Sequence, residues 1–445
     1  MPASRTVETR QRARSWLTYL ALLAGIMPAW PGVSLLGTGA ALVAVTLAWR
    51  ELRVVARCLL TLVAVSTLAA LVLQPATLIS ATTGMLRLTA LIVTMMLLAA
   101  LLSRSADLQR ISTGLFSGTP LKRYYSITFG TGFLSVPLNF GSVGVIGTLV
   151  GDRIRRHGDS AMAGNAARGM LRGYGASPMF SPLSISVVTT LIFLPTLHSW
   201  ELLAVSFPLA MLYLLAGALF RDRESGPMTP VEGAGALWPW LRFAAVVGGI
   251  WGGALLLSAL AGLGYSKAVT LSGLVAVILL MLARRAAGDK AGLPTMAPLA
   301  NEITIMGGSA FLGVMASAVV LHVMGGDMAL PGWGYPLVAF VVPWVFFGAG
   351  LLGLNPIIVG TLVGGVFGPI WPPSAHLALA VAMVCGWAQS AAGTPYSANS
   401  LLLERLTGYD ARVAALRWNL GLSLCSLVVG ASLAALLTVC LSGLI

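Results

Sequence analysis

Long apolar runs with almost no charge dominate the pattern of this chain. Runs such as LLTLVAVSTLAALVLQ, VVGGIWGGALLLSALAGL and LGLSLCSLVVGASLAALLTVCLSGLI are each about long enough to cross a bilayer core of roughly 30 Å. They lack the alternation of polar and apolar residues that transmembrane strands show, so we expect helices. The pattern predicts ten apolar spans, at 16–30, 33–49, 54–74, 83–102, 183–198, 201–220, 238–262, 267–284, 303–323 and 414–442.

Two further apolar segments carry an Asn beside Pro and Gly at their centres. The segment 124–151 contains VPLNFG and has basic residues on both sides, so both of its ends are expected on the same side of the membrane. The segment 335–370 contains GLNP and follows Asp327 from the opposite side. Because Pro and Gly break helices, both segments are predicted to be re-entrant hairpins, with Asn139 and Asn355 at their tips.

A helix-like stretch with a polar, Pro-containing centre follows each hairpin. The stretch 159–198 contains GASPMFSP, and the stretch 376–412 contains AGTPYSANS. Pro removes a backbone donor and disfavours helix in the residue before it. We therefore expect two discontinuous helices with unwound centres at 175–182 and 392–400, in which the Ser-Pro of residues 177–178 matches the Thr-Pro of residues 394–395.

The hairpin tips and the breaks lie at matching distances along the chain. Residue 177 follows Asn139 by 38 positions, and residue 394 follows Asn355 by 39 positions. Paired apolar segments interrupted by Pro or Gly are typical of secondary transporters with inverted repeats, which bind substrate near the membrane midplane. The two Asn are therefore predicted to be symmetry mates at one shared site.

The predicted fold class is an all-α polytopic membrane protein with about 11 transmembrane helices, two inverted repeats and two re-entrant hairpins. Residues 1–32 form an extra N-terminal helix in this arrangement. Residues 33–220 form the first repeat, and residues 236–445 form the second, in the opposite orientation.

Composition and charge agree with a membrane protein. Of 445 residues, 57% are hydrophobic and 9% are charged, whereas soluble proteins carry about 25% charged residues. Most of the basic residues behind the net charge of +13 fall in loops on one predicted side, for example in RELRVVAR and DRIRR. Because Lys and Arg collect in cytoplasmic loops, we expect a bacterial-type inner-membrane protein with its N-terminus cytoplasmic and its C-terminus outside. The positive charge then needs no nucleic-acid partner.

The candidate binding residues are amides and hydroxyls at the predicted tips and breaks. Asn139 and Asn355 either cap the hairpin helices or bind substrate, since an amide can donate to an anion or offer its oxygen to a cation. Five further residues are either ligands or polar groups of helix packing. They are Ser177, Ser181, Thr394, Ser397 and Asn399.

Charged residues near the breaks leave two alternatives each. Arg168 and Arg172 either attract an anion or mark the cytoplasmic end of a helix. Glu404 either couples proton movement or pairs with Arg405 or Arg412. The four His residues are predicted at the surface, and neither they nor the four Cys show metal-binding spacing, so no metal beyond a coupling Na⁺ is expected. These His are His157, His198, His322 and His376.

At the tips and breaks the chain resembles the divalent anion/sodium symporter family and the wider ion transporter superfamily. The family's tips typically carry Ser-Asn-Thr, and this chain reads LNF and LNP with Asn139 and Asn355 at the matching position. Thr394-Pro395 followed by Asn399 is similar to the family's second break. The resemblance implies an elevator-type homodimer that moves a small anion, often a carboxylate, with Na⁺ or H⁺ and with no other cofactor.

These observations predict a secondary active transporter rather than an enzyme. The substrate would be a small anion, carried across the bilayer by alternating access. Two alternatives stay open, a membrane-embedded lipid-linked transferase and a cation/proton antiporter. The transferase needs groups for acid–base or metal chemistry, and the antiporter needs a carboxylate in the broken helices, where Glu404 is the nearest.

Overall fold

A computed structural model describes residues 2–27, 30–103, 105–224, 237–288, 292–323 and 330–443. These residues are nearly all helical and contain no β-strand, so the predicted all-α class is confirmed for this part of the chain. Asp327, and residue 236 at the predicted start of the second repeat, lie outside the described residues. The α-helices are α1 (Pro2–Ile26), α2 (Pro31–Thr46), α3 (Val54–Leu73), α4 (Pro75–Leu102), α5 (Ala106–Gly114), α6 (Pro120–Leu138), α7 (Phe140–His157), α8 (Ala161–Phe180), α9 (Ile185–Phe193), α10 (Ser199–Ala216), α11 (Leu237–Ala261), α12 (Tyr265–Ala286), α13 (Ala300–Val323), α14 (Gly334–Leu351), α15 (Pro356–Phe367), α16 (His376–Gly393), α17 (Ala398–Thr407) and α18 (Leu420–Ser442).

Ten helical stretches in the described part of the chain are long and apolar enough to cross a membrane, which makes this a multi-pass membrane protein. One of them, α14, is an arm of the second predicted hairpin. The predicted spans 16–30 and 33–49 are not among the ten. The helix at the first, α1, begins at Pro2 in basic sequence, and α2 is apolar but has only 16 residues.

The chain forms two compact units, and each unit takes segments from both halves of the sequence. The first unit comprises Met1–Leu101, Ile250–Met328 and Thr361–Phe367. Within it, α1 packs on α2, and α13 packs on α2 and α3. The second unit, called the site unit here, comprises Leu102–Gly249, Ala329–Gly360 and Gly368–Ile445.

The core of the site unit is built on α8 and α16, which pack against each other. Every residue of α8 from Ala163 to Phe180 is buried. A helix that is buried on all sides must pack closely against its neighbours, and α8 has glycines where it crosses them. A Cβ on Gly173 would overlap the carbonyl oxygen of Thr128 in α6, and one on Gly175 would overlap Ala392 in α16. Small residues at helix crossings are typical of membrane proteins because they let backbones approach.

We expect Gly173→Ala to lower stability by about 1–3 kcal/mol, because the added methyl group meets backbone atoms that cannot rotate away. Thermal unfolding in detergent measures the change. Gly144→Ala in α7 is the matched control, since no atom lies within 4 Å of its added Cβ. An equal loss of stability in both variants would show that the crossing is not tightly packed.

Each predicted hairpin segment contains two consecutive helices with a short connection, and the first segment is longer than predicted. The first pair, α6 and α7, spans 120–157 rather than 124–151, and Asn139 alone joins its two helices. The second pair is α14 and α15, joined by residues 352–355 and followed by a 3₁₀ turn that ends at Ile370.

Two buried helices are interrupted within the site unit, the first of them later than predicted. The predicted unwound centre at 175–182 overlaps the observed break, Ser181–Ser184, but its matching Ser-Pro at 177–178 is wrong, because α8 continues through both residues to Phe180. The second break, between α16 and α17, is Thr394–Ser397 and includes the predicted Thr-Pro. After each break the helix resumes, as α9 and as α17.

Candidate functional site

The tip of the first hairpin has a strained backbone. Asn139 has φ 49° and ψ −126°, and it is the one non-Gly residue with positive φ in the described part of the chain. Such a conformation is nearly restricted to Gly and costs about 1–3 kcal/mol in other residues. Because strained backbone clusters at functional sites, the Asn139 side chain is a candidate ligand.

The side chain of Asn139 is held by one buried aromatic residue. Tyr174 Oη of α8 donates a 2.7 Å hydrogen bond to Asn139 Oδ1. The Tyr174 ring stacks on Phe140, with ring centroids 5.0 Å apart. Asn139 Nδ2 has no hydrogen-bond acceptor among the described residues, so the amide donor is available to a ligand.

The tip of the second hairpin uses its Asn differently. Asn355 Oδ1 accepts a 2.9 Å hydrogen bond from the N–H of Ile357, which makes Asn355 a cap of α15. The residue with positive φ at this tip is Gly353, at 81°. The two Asn residues therefore differ in backbone conformation and in the partner of Oδ1, and they form no hydrogen bond to each other in the described structure. The tip still lies beside the second break, because a Cβ on Gly353 would be 3.8 Å from Tyr396.

Serine hydroxyls at the first break form hydrogen bonds with its backbone groups. Ser186 Oγ donates a 2.8 Å hydrogen bond to the carbonyl of Pro178, and Ser184 Oγ caps α9 by accepting from the N–H of Val187. Ser181 Oγ, in a residue that is 1% exposed, has no partner among the described residues. A buried hydroxyl without a partner loses about 1–3 kcal/mol of hydration, so Ser181 is a candidate ligand.

Serine hydroxyls also form hydrogen bonds with backbone groups at the second break. Ser400 Oγ donates a 2.8 Å hydrogen bond to the carbonyl of Thr394, and Ser397 Oγ caps α17 by accepting from the N–H of Ser400. Thr394 Oγ1 donates to the carbonyl of Ser390 and is not free. Asn399 Nδ2 donates a 3.0 Å bond to Leu171 O in α8, while Asn399 Oδ1 is buried without a partner in the described residues.

The two breaks share a four-residue pattern that the prediction missed. The first reads Ser-Pro-Leu-Ser at 181–184, and the second reads Thr-Pro-Tyr-Ser at 394–397. In both, the last Ser is the helix N-cap. Ser181 is therefore the counterpart of Thr394. Ser177 is buried inside α8, one turn before the break.

Arg172 is a fully buried cation whose hydrogen-bond acceptors are all uncharged. It is 0% exposed, and each of its five N–H groups has one acceptor. These acceptors are Asn419 Oδ1 at 3.0 Å, Tyr124 Oη at 2.8 Å, Gly217 O at 2.7 Å, Trp418 O at 2.8 Å and Phe220 O at 3.4 Å. Arg172 therefore joins four segments of the site unit and has no N–H left for a ligand.

Arg168 lies in a second network at the start of α8. Its guanidinium forms a 2.8 Å ion pair with Asp222 and lies 4.9 Å from the ring centroid of Trp418. Tyr409 belongs to the same network and donates a hydrogen bond to Asp159. Burial, followed by the hydrogen bond and charge of Asp159, raises the pKa of Tyr409, so the phenol stays a neutral donor. Arg168 thus holds helix ends together.

The structure departs from the sequence predictions at two titratable side chains. Glu404 is exposed and forms no ion pair with Arg405 or Arg412 in the described structure, so the pairing alternative is wrong; it accepts a 3.4 Å hydrogen bond from the N–H of Ala411, and its role in proton coupling stays a prediction. His376 is not at the surface but is 6% exposed, with Nδ1 2.6 Å from Thr196 Oγ1. It is buried because α16 begins inside the site unit. The other three His residues are exposed as predicted.

The polar groups at the tips and breaks suit binding better than acid–base chemistry. They are amide, hydroxyl and backbone groups, which donate to anions or coordinate cations without changing protonation at neutral pH. Among the described residues, no three His, Cys, Asp or Glu side chains gather where a metal ion could be held. All four Cys residues are free thiols.

No protein-family model matches the sequence, and no curated protein matches it. The functional argument therefore rests on the geometry of the tips and breaks. Sequence reasoning missed several residues of that geometry, among them Tyr174, Ser184, Ser186, Ser400 and Asn419. The repeated Ser/Thr-Pro-x-Ser pattern was the signal for the first break, whereas nothing in the sequence pairs Tyr174 with Asn139 or Asn419 with Arg172.

Proposed function

We propose that this protein is a secondary active transporter that moves a small anion across the inner membrane by alternating access. The observation that carries the proposal is the pair of interrupted helices, each broken by Ser/Thr-Pro-x-Ser and each beside buried oxygens without partners, Ser181 Oγ and Asn399 Oδ1. Irregular backbone at membrane depth is tolerated where it is enclosed by protein or lines a cavity. Paired breaks of this kind mark transporter sites.

Matching helix contacts support the inverted repeats. In the site unit α8 packs on α6 and α10, and α16 packs on α14 and α18. The ends of the broken helices are also joined reciprocally. Thr196, after α9, contacts His376 at the start of α16, and Tyr409, after α17, contacts Asp159 before α8. A pseudo-twofold relation between the two halves accounts for both sets of contacts.

The division into units supports an elevator-type mechanism. The site unit holds the first hairpin, both broken helices and most of the second hairpin. In the proposed cycle this unit moves as one body and carries the substrate with it. The close glycine crossings of α8 support movement without internal rearrangement, because backbone-to-backbone packing is stiff. Assembly as a homodimer, with the C-terminus outside, is part of the same proposal.

Charge supports an anion as the substrate. Arg172 places a positive charge inside the site unit with only neutral acceptors around it, so its field is not cancelled locally. Asn139 Nδ2 adds a free donor at the hairpin tip. The partnerless oxygens of Ser181 and Asn399 are ligands of the type that hard cations prefer, which supports Na⁺ as the coupling ion, with H⁺ as the other candidate.

Thermal stabilisation of the purified protein tests the proposal. The panel is succinate, citrate, phosphate and sulfate, each with sodium or potassium and at acidic, neutral and alkaline pH. An anion present at about 100 times its dissociation constant should add about 2.7 kcal/mol of stability. Uptake of that anion into proteoliposomes then tests transport. Stabilisation by lipids or lipid-linked sugars alone would contradict the proposal and favour the transferase.

We expect Ser181→Ala to weaken anion or Na⁺ binding roughly two- to tenfold, the equivalent of one hydrogen bond. Stability without ligand should be unchanged or higher, because the variant removes a buried hydroxyl that has no partner. Ser206→Ala is the matched control: Ser206 is as buried, but its hydroxyl donates to Leu202 O in α10. The control should bind normally and lose a little stability. Unchanged binding in Ser181→Ala would remove Ser181 from the site.

A further inference from the structure

The hydrogen-bond acceptors of Asn139 are already occupied within the protein. Its Oδ1 accepts from Tyr174 Oη at 2.7 Å. Its carbonyl accepts from Ser142 Oγ at 2.8 Å and from the N–H of Ser142 at 3.2 Å. Its own N–H donates to Ser135 O at 2.9 Å. The one polar group of this residue left for a ligand is therefore a donor, Nδ2.

The orientation of an Asn amide decides which kind of ligand it can bind. One end of the amide donates two hydrogens and the other accepts, so rotation by half a turn exchanges a site for anions with a site for cations. At the tip of the first hairpin Tyr174 Oη favours one orientation: a phenol can accept as well as donate, but Asn139 Oδ1 is the one acceptor for its O–H among the described residues, so donation keeps Oδ1 on the phenol. Tyr174 itself is fixed, because it is buried in α8 and stacks on Phe140.

We propose that Tyr174 is a positioning residue that selects an anionic substrate: it holds Asn139 Oδ1 and so directs Nδ2 towards the substrate. The inference rests on the proposed function. It adds to that function the residue that makes the site prefer an anion to a cation. The N-terminus of α7 follows Asn139 directly and adds partial positive charge in the same place.

Tyr174→Phe is the test, because it removes only the hydroxyl and keeps the stacked ring. The probe is whichever of succinate, citrate, phosphate and sulfate stabilises the parent protein, and the readout is its dissociation constant. We expect the affinity to fall roughly five- to tenfold, since the amide is no longer held in one orientation.

A double-mutant cycle separates positioning from a merely structural role. In the Asn139→Ala background, Tyr174→Phe should cause no further loss of anion affinity, because there is no amide left to orient. If Tyr174 acts through packing alone, its effect on affinity will be the same in both backgrounds, and the proposal is overturned. Unchanged affinity in the single variant Tyr174→Phe overturns it as well.

Asn139→Asp keeps the proposal testable if Tyr174→Phe does not fold. With Tyr174 donating to one carboxylate oxygen, the other oxygen faces the substrate as an acceptor with negative charge. We expect anion affinity below that of Asn139→Ala. Anion affinity equal to or above that of Asn139→Ala, or a gain in Na⁺ affinity with the anion site intact, would show that the acceptor end faces the ligand.

These outcomes are distinct from a failure of the proposed function. If no anion of the panel binds the parent protein, the transporter proposal fails first, and this inference fails with it. If an anion binds the parent and the Tyr174→Phe cycle shows no coupling, only the role of Tyr174 is rejected.

Discussion

Replacing Arg172 with Ala should leave little or no folded protein to purify. The guanidinium supplies one N–H to each of five acceptors in three other segments of the site unit, and three of these hydrogen bonds are fully buried. Without it these acceptors lose their partner, and each one that stays buried and unpaired costs about 1–3 kcal/mol. The sum is comparable with the whole stability of a typical protein, about 5–15 kcal/mol.

Size-exclusion chromatography of a fluorescent fusion in detergent measures the Arg172→Ala result. Arg172→Lys should be nearly as damaging, because a Lys ammonium has three donors and cannot reproduce the planar geometry. Arg156→Ala is the control, since Arg156 is exposed at the end of α7. A monodisperse Arg172→Ala protein with parental thermal stability would show that the five hydrogen bonds contribute little.

Asn139→Gly should separate stability from function. Gly adopts φ 49° and ψ −126° without the strain that Asn bears there, about 1–3 kcal/mol. The variant also loses the hydrogen bond to Tyr174, which is worth about 1 kcal/mol, so we expect stability equal to the parent or slightly higher. Anion affinity should fall roughly 10- to 100-fold, because a hydrogen bond to a charged ligand is worth about 1.5–3 kcal/mol.

Thermal unfolding and anion titration of the same Asn139→Gly preparation measure both effects. Asn355→Ala is the matched comparison at the second tip. There the Asn is a helix cap without positive φ, so its loss should lower stability by about 1 kcal/mol. If Asn139→Gly binds the anion as tightly as the parent, Asn139 is not a ligand and the strain at the first tip has another cause.

The elements of this fold could be predicted because apolar run length and helix breakers act locally. Thr394-Pro395 ends α16 where the sequence indicates. The first break was misplaced because the chain offers two Ser-Pro pairs four residues apart, and only the second is followed by a capping Ser. Pro178 is tolerated within α8. Reading the cap together with the Pro would have identified the break at Ser181.

The partners within the site could not be predicted, because they depend on packing between distant segments. Tyr174 reaches Asn139 across 35 positions of sequence, and Arg172 reaches Asn419 across 247 positions. Hydrophobic pattern places each helix but does not fix its rotation or its neighbours.

The difference between Asn139 and Asn355 did have a signal in the sequence that the prediction did not use. Asn355 directly precedes a Pro, which restricts it to extended backbone, and Gly353 takes the positive φ, whereas Asn139 precedes Phe140.

The partners of Arg172 also set an order for synthesis. Tyr124 and Gly217 lie within 50 positions of Arg172, but Asn419 leaves the ribosome 247 residues later. At about 5–20 residues per second, roughly 12–50 s pass before Asn419 has been made. Throughout that interval α8 contains a cation without its full set of acceptors.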